Sequence, residues 1–339
     1  MRGMWIPSPH AGTGIVISER CEKMKAAVSF SRRERFPSSG RFVYSIRRNW
    51  SLYLLITPVL IYFAVFIFWP MYGVIIAFKD FRPNLGILGS EWVGFKHFEK
   101  FFTSLHFGRT LRNTLTLSIY SLAVNFPLPI ILAIMMNDLG SRRFKRAVQT
   151  ITYLPHFISM VVLCGMITLF FRNDTGLINL LIKQLGGESI NFLNTPSYFK
   201  HVYVWTGVWQ NLGWNTIIYM AALSGMDVEL LEAASIDGAN KFQKIRHIIL
   251  PYLMPTAILL LILESGYVMN VGFEKVFLLQ NDLNMEMSDV ISTLVYRKGI
   301  TEYQFSFSAA VGLFNSVVNC IILLIVNGVS RKLGETSLW

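Results

Sequence analysis

Cysteine is scarce: Cys21, Cys164 and Cys320 are the only three in 339 residues. An odd number at such separations offers neither a disulfide framework nor a CxxC metal site, so redox chemistry has no basis here. The dipeptide Gly-Lys occurs nowhere, which excludes the GxxxxGK loop that cradles nucleotide phosphates, and Gly12-Thr13-Gly14 lacks the rest of any nucleotide fingerprint. The chain is therefore expected to carry no ATP-hydrolysing motor, no metal and no cofactor of its own. Its histidines, His10, His97, His106, His156, His201 and His247, never form HExxH, and GxSxG is absent too, which argues against an intramembrane hydrolase. Charge is also thin, at 15% of residues against 53% hydrophobic. With 26 Phe, 13 Tyr, 14 Met and 8 Trp, there is more apolar surface than a water-facing domain can accommodate. The net charge of +11 lies in loops between apolar stretches, so it reads as membrane orientation and not as nucleic-acid binding.

Six intervals are free of Asp, Glu, Lys and Arg, or nearly so: 49–78, 113–137, 147–171, 201–226, 303–330, and 248–273, which is broken once by Glu264. Each exceeds the roughly 20 residues that a helix rising about 1.5 Å per residue needs to cross about 30 Å of hydrocarbon. The expected spans are 52–77, 114–136, 148–171, 202–223, 250–273 and 305–329. Runs such as AILLLIL from Ala257 do not alternate, which excludes a membrane β-barrel. The fold class is all-α: a polytopic membrane protein with six transmembrane helices in the lipid bilayer, over residues 41–339.

An even number of spans places both termini on one side. The loops on that side hold 19 Lys and Arg against 12 on the other, with acidic residues almost equal, so both termini are expected in the cytoplasm. The segment 78–113 carries six of those basic residues on the opposite side and weakens the rule locally. Residues 1–40 contain no apolar run long enough for a signal core and are expected to form a disordered tail. Met24, just before Lys25, would also serve as a start, which leaves residues 1–23 open to question. No repeat of solenoid period is present.

The loop at about 226–250, MDVELLEAASIDGANKFQKIRHIIL, reads as two short helices at an angle. Asp227 caps the first, and Glu229 lies in its first turn, where the helix dipole favours negative charge. Gly238 supplies the bend by adopting positive φ. The second helix is basic through Lys241, Lys244 and Arg246 and apolar through Phe242, Ile245 and Ile249. Composition alone allows an amphipathic helix lying on the membrane surface. The pattern Glu232-Ala233-Ala234, three residues, Gly238, nine residues, Ile248, one residue, Leu250-Pro251 resembles the EAA signature of permease subunits of bacterial binding-protein-dependent ABC importers. RRNWSLYLLITPVLIYF, MYGVIIAFKDF, VGFKHFEKFF, YLPHFIS, NVGFEKVFLLQN and GETSLW extend the likeness over about residues 45–339, toward the LplB-type, MalF-like branch of carbohydrate permeases with the type I importer fold. Val228 stands where that loop often has Pro, and Leu231 where an aromatic is usual.

The resemblance implies uptake of a sugar, often an oligosaccharide derived from a polysaccharide, across the bacterial plasma membrane by a subunit that is not itself an enzyme. It implies as partners a second homologous permease in a heterodimer, two copies of an ATPase subunit holding ATP and Mg, and an extracellular solute-binding protein. Glu232, Ala233, Ala234, Asp237, Gly238 and Lys241 would then be the ATPase-coupling surface.

A sugar presents apolar ring faces and many hydroxyls, so its route needs aromatic rings beside amides and carboxylates. On the fourth span, Trp205, Trp209 and Gly213 share one helical stripe, and Asn211 and Asn215 another. On the fifth, Glu264 is the only full charge expected inside the membrane, with Tyr267 and Val271 on its face and Asn270 and Gly266 on the next. The candidate pathway is Trp209, Asn211, Asn215, Glu264, Tyr267 and Asn270. Each also has a plainer reading: amides bond across helix interfaces, Trp marks the membrane boundary, and Glu264 could be half of a buried ion pair. As an anion on the route, Glu264 would disfavour strongly acidic sugars. A proton-coupled secondary transporter using Glu264 is the alternative, and it leaves the EAA pattern unexplained.

Overall fold

The computed structural model describes residues 48–332, so the expected tail at 1–40, Cys21 and the terminal GETSLW lie outside the described residues. Two compact units divide at residues 71 and 72. The first contains helix α1, Trp50–Tyr62, which continues through a π-helical turn at Phe63–Phe68. Leu, Ile, Val, Phe and Tyr occupy all its sides and none of its residues is buried, as expected of a helix whose solvent is lipid or a partner helix.

The second unit opens with a 3-10 helix, Tyr72–Phe78, followed by a two-stranded antiparallel hairpin, β1 (Lys79–Asp80) and β2 (Glu91–Trp92). His97, on α2 (Lys96–Phe102), pins it through a 3.1 Å contact between Nε2 and the carbonyl of Lys79. Burial holds this imidazole below its usual range, which favours the neutral ring with Nε2–H donating. Next come α3 (Leu105–Asn125), α4 (Pro127–Asn137), α5 (Arg142–Tyr153), α6 (Met160–Phe170), α7 (Leu177–Gln184) and the 29-residue α8 (Pro196–Ser224). The chain finishes with α9 (Val228–Ile236), α10 (Lys241–Lys244), α11 (Leu250–Ser265), α12 (Phe273–Leu279), α13 (Met285–Ser288), α14 (Ile291–Tyr296) and α15 (Phe305–Lys332).

Among the described residues, four helical stretches are long and apolar enough to cross a membrane: Trp50–Phe78, Leu105–Asn137, Lys241–Ser265 and Phe305–Lys332. The expected third span is a fifth only as a bent pair, Arg142–Phe157 with Met160–Phe170, at 101°. Pro155 starts a tight 3-10 turn there, and Ser159 restarts the helix by accepting from the Val162 amide, so 148–171 is not the single rod expected. α8 takes the place of the fourth expected span, its apolarity diluted by Gln210 and by the same Asn211 and Asn215 that drew attention to it. The fifth span also departs from expectation, because α11 ends at Ser265 and not near 273. From Gly266 the backbone turns, and α15 satisfies the freed groups: Asn319 Oδ1 accepts from the Met269 amide at 2.8 Å.

In lipid the helices gain little by hiding apolar surface from one another, so close approach and polar contacts hold them together. Gly213 shows the first. A Cβ at this position would sit 2.2 Å from the Thr152 carbonyl oxygen, so only glycine lets α8 cross α5 so tightly. Asp289 shows the second. Its carboxylate is fully buried and accepts from Arg109 Nη2 at 3.0 Å, Arg297 Nη2 at 3.1 Å and Thr293 Oγ1 at 3.2 Å. Asn113 Nδ2 donates to the carbonyls of Glu286 and Asp289, at 2.8 and 3.0 Å. The start of α3 is thereby fastened to α13 and α14.

Candidate functional site: a polar cavity and the loop joined to it

A cavity of about 390 Å3 opens between α3, α8 and the end of α11 with its following turn. Asn211, Asn215, Glu264, Tyr267 and Asn270 all line it, so five of the six predicted pathway residues come together. Trp209 does not. With Trp205 and Phe170 it lines a separate, almost wholly apolar cavity of about 520 Å3 on the other side of α8. The expected pathway grouped Trp209 with Asn211, although the two lie on different helical stripes, and the helix keeps those stripes apart.

The route by which Tyr267 and Asn270 reach the cavity differs from the expected helical face. They belong to the turn after α11, held by a 2.8 Å bond from the Asn270 amide to the Tyr267 carbonyl. Asn270 Oδ1 accepts from Asn315 at 2.6 Å and Asn319 at 3.2 Å, so two amides of α15 fix it. Asn211 Oδ1 contacts His156 Nδ1 at 3.0 Å, and that ring stacks on Trp214 with centroids 4.3 Å apart. Glu264 has no Lys, Arg or His nitrogen within 4.0 Å among the described residues, so the expected ion-pair alternative finds no partner within this part of the chain.

Among the lining residues missed from the sequence, two bear most on its chemistry. Ser118 Oγ is buried and has no hydrogen-bond partner among the described residues. Lys275 on α12, read only as a loop charge, is 4% exposed, with Nζ donating to the Tyr203 carbonyl at 2.8 Å and lying 4.8 Å from that ring's centroid. The run of apolar residues in FEKVFLL signals that α12 packs inward. Nothing in it says whether its lysine follows.

The loop at 226–250 has the geometry read from its residues. Asp227 caps α9, its side chain accepting from the Glu229 amide at 2.9 Å. Gly238 has φ of +78°, its amide bonds to the Ser235 carbonyl at 3.2 Å, and Ala239 bonds back to Ala234 at 2.9 Å. This double closure is the Schellman ending that a positive-φ residue permits. Asn240 then starts α10 through a reciprocal capping box with Gln243. Glu232, Ala233, Asp237, Gly238 and Lys241 are exposed, and Ala234 is half-buried beside the bend. Ile236 is 87% exposed on α9, an apolar side chain beside the exposed Glu232 and Asp237. Lys241 is also tied within the chain, its Nζ lying 2.9 Å from Asp138 just past α4.

Loop and cavity share one helix. From Lys241 the chain stays helical through a π-helical turn at Ile245–Ile249 into α11, ending at Ser265 beside Glu264. Those 25 residues span about 38 Å.

Residues 125–334 match the family described as "Binding-protein-dependent transport system inner membrane component". The chain is 44% identical to Protein LplB of Bacillus subtilis over 87% of its length and 93% of that protein's. It is 42% identical to the B. subtilis polygalacturonan/rhamnogalacturonan transport system permease protein YteP, over 92% of this chain and 96% of that one. Among solved structures, a chain of a bacterial alginate ABC transporter in complex with alginate pentasaccharide-bound periplasmic protein superposes with a TM-score of 0.82 and 38% identity, over 88% of this chain and 100% of that one.

Proposed function

The chain belongs to the family of binding-protein-dependent transport system inner membrane components, and on that premise we propose how this permease subunit of an ATP-driven sugar importer works. It takes up a sugar, in our reading an oligosaccharide released from a polysaccharide, across the bacterial plasma membrane. The observation that carries this reading is the polar cavity among apolar helices, joined by one continuous helix to an exposed loop. A solute-binding protein delivers the sugar on one side, and on the other a pair of ATPase subunits holding ATP and Mg engages the loop. A second, homologous permease completes the route, and both termini face the cytoplasm. Glu232, Ala233, Ala234, Asp237 and Gly238 form the docking surface, with Lys241 bracing it against Asp138. Closure of the ATPase pair on α9 is then transmitted along Lys241–Ser265 to the cavity wall at Glu264. Asn211, Asn215, Glu264, Tyr267 and Asn270 hydrogen-bond passing hydroxyls; Trp209, in the other cavity, drops out of the route.

Two experiments test the two ends of this helix. Ile236→Asp places a charge where a partner must cover an apolar group, so the ATPase subunit should no longer co-purify, although the variant inserts normally. Retention of the ATPase at wild-type stoichiometry would move the docking surface elsewhere. At the cavity, Glu264→Gln keeps the shape and one acceptor, whereas Glu264→Leu removes all hydrogen bonding. Both should assemble with unchanged melting temperature and altered transport KM, Leu more than Gln. Wild-type kinetics with a lowered melting temperature in both would make Glu264 a structural residue.

A further inference from the structure

Lys275 carries a charge that the fold has not neutralised. No Asp or Glu oxygen lies within 4.0 Å of its ammonium among the described residues, and its one direct bond is to the Tyr203 carbonyl. A buried ammonium is costly unless an anion accompanies it. Cation–π contact with Tyr203 offsets only part of that cost. The ammonium packs against Gly207, where a Cβ would sit 3.4 Å from Nζ, and Lys275 lines the polar cavity. The Ser118 hydroxyl, also unpaired, lines the same cavity.

We infer that Lys275 is the counter-charge for a carboxylate of the transported sugar, so that this permease is built to pass oligosaccharides containing uronic acids. The inference rests on the reading of the cavity as the route and adds to it the class of substrate. Lys275 meets α8 at Tyr203 and Gly207; Asn211 and Asn215 lie one and two turns further along, where amides and Glu264 can bond hydroxyls. The expectation that Glu264 disfavours acidic sugars weighed only one of the two charges in this cavity. Polygalacturonan and alginate, named for two of the similar proteins, are themselves polymers of uronic acids.

The test uses the complete importer in proteoliposomes, with trigalacturonate and its trimethyl ester as probes of equal length, one anionic and one neutral. Wild type should take up the acid in preference to the ester. Lys275→Met should raise KM for the acid by about thirtyfold, the lower end of what truncating a buried charge partner costs, and change KM for the ester far less. Lys275→Arg should recover much of the acid uptake. The Met variant should melt no lower than wild type, because it removes an unpaired buried charge. Equal loss of both probes with a lowered melting temperature would show that Lys275 only props Tyr203 and would overturn the inference. So would uptake of a neutral oligosaccharide without any of trigalacturonate, while the importer reading stood. Absence of any ATP-dependent uptake would remove both together.

Discussion

Replacing Asp289 with alanine should cost the protein about 3 kcal/mol, the lower end of the range for breaking a buried ion pair. Two guanidinium groups, Arg109 and Arg297, converge on a carboxylate whose side chain is fully buried, while their own side chains are 35% and 27% exposed. That partial exposure lets water recover some of the loss, which is why the upper end of the range is not expected. Asp289→Asn, which keeps an acceptor for one Arg and for Thr293, should lose less. Thermal unfolding in nanodiscs reads the difference: a clear fall in melting temperature for Ala and a smaller one for Asn. Equal melting temperatures for both variants and wild type would mean that this network holds nothing together.

Gly238→Val should abolish coupling while leaving folding intact. The positive φ of +78° is strained for any L side chain, by about 1–2 kcal/mol, and more so for a β-branched one. Because no atom lies within 4 Å of a Cβ built there, the variant meets no clash and its whole effect is on the backbone. Relaxing that strain breaks the bonds from Gly238 to Ser235 and from Ala239 to Ala234, and so re-aims α9 relative to α10. Membrane insertion and melting temperature should match wild type, while hydrolysis stimulated by loaded binding protein falls to its unstimulated rate. Gly238→Asn, whose side chain tolerates this region, should keep most of the stimulation. Full transport by the valine variant would remove the loop from the coupling path.

What the sequence discloses depends on how local the cause is. Asp227, Gly238 and the apolar and basic faces of 241–249 act within a few residues of themselves, and the loop was legible in detail. Charge-free intervals marked where helical stretches lie, because desolvating a charge is costly wherever lipid is the neighbour. They did not show where those stretches break. The end of α11 at Ser265 depends on Asn319, 50 positions beyond the Met269 amide it receives. Asp289 meets an arginine 180 residues away, and nothing near either residue points to the other. Lys275 was hidden for a related reason: a charge one or two positions beyond an apolar run looks solvated until the tertiary fold turns it inward. Ser159 and Pro155 could have warned of the bend at the third span, since each marks a helix start or stop by local chemistry.

Reconstitution decides whether this chain forms a route driven by ATP hydrolysed on another subunit. Proteoliposomes containing this chain, the second permease and the ATPase would be offered labelled oligosaccharide outside, with and without the binding protein, and ATP or a proton gradient across the membrane. Accumulation is expected only when ATP is present at the ATPase and the binding protein is present outside, with no uptake by this chain alone. Accumulation by the purified chain alone, driven by the proton gradient and lost in Glu264→Gln, would contradict it and establish a proton-coupled carrier instead.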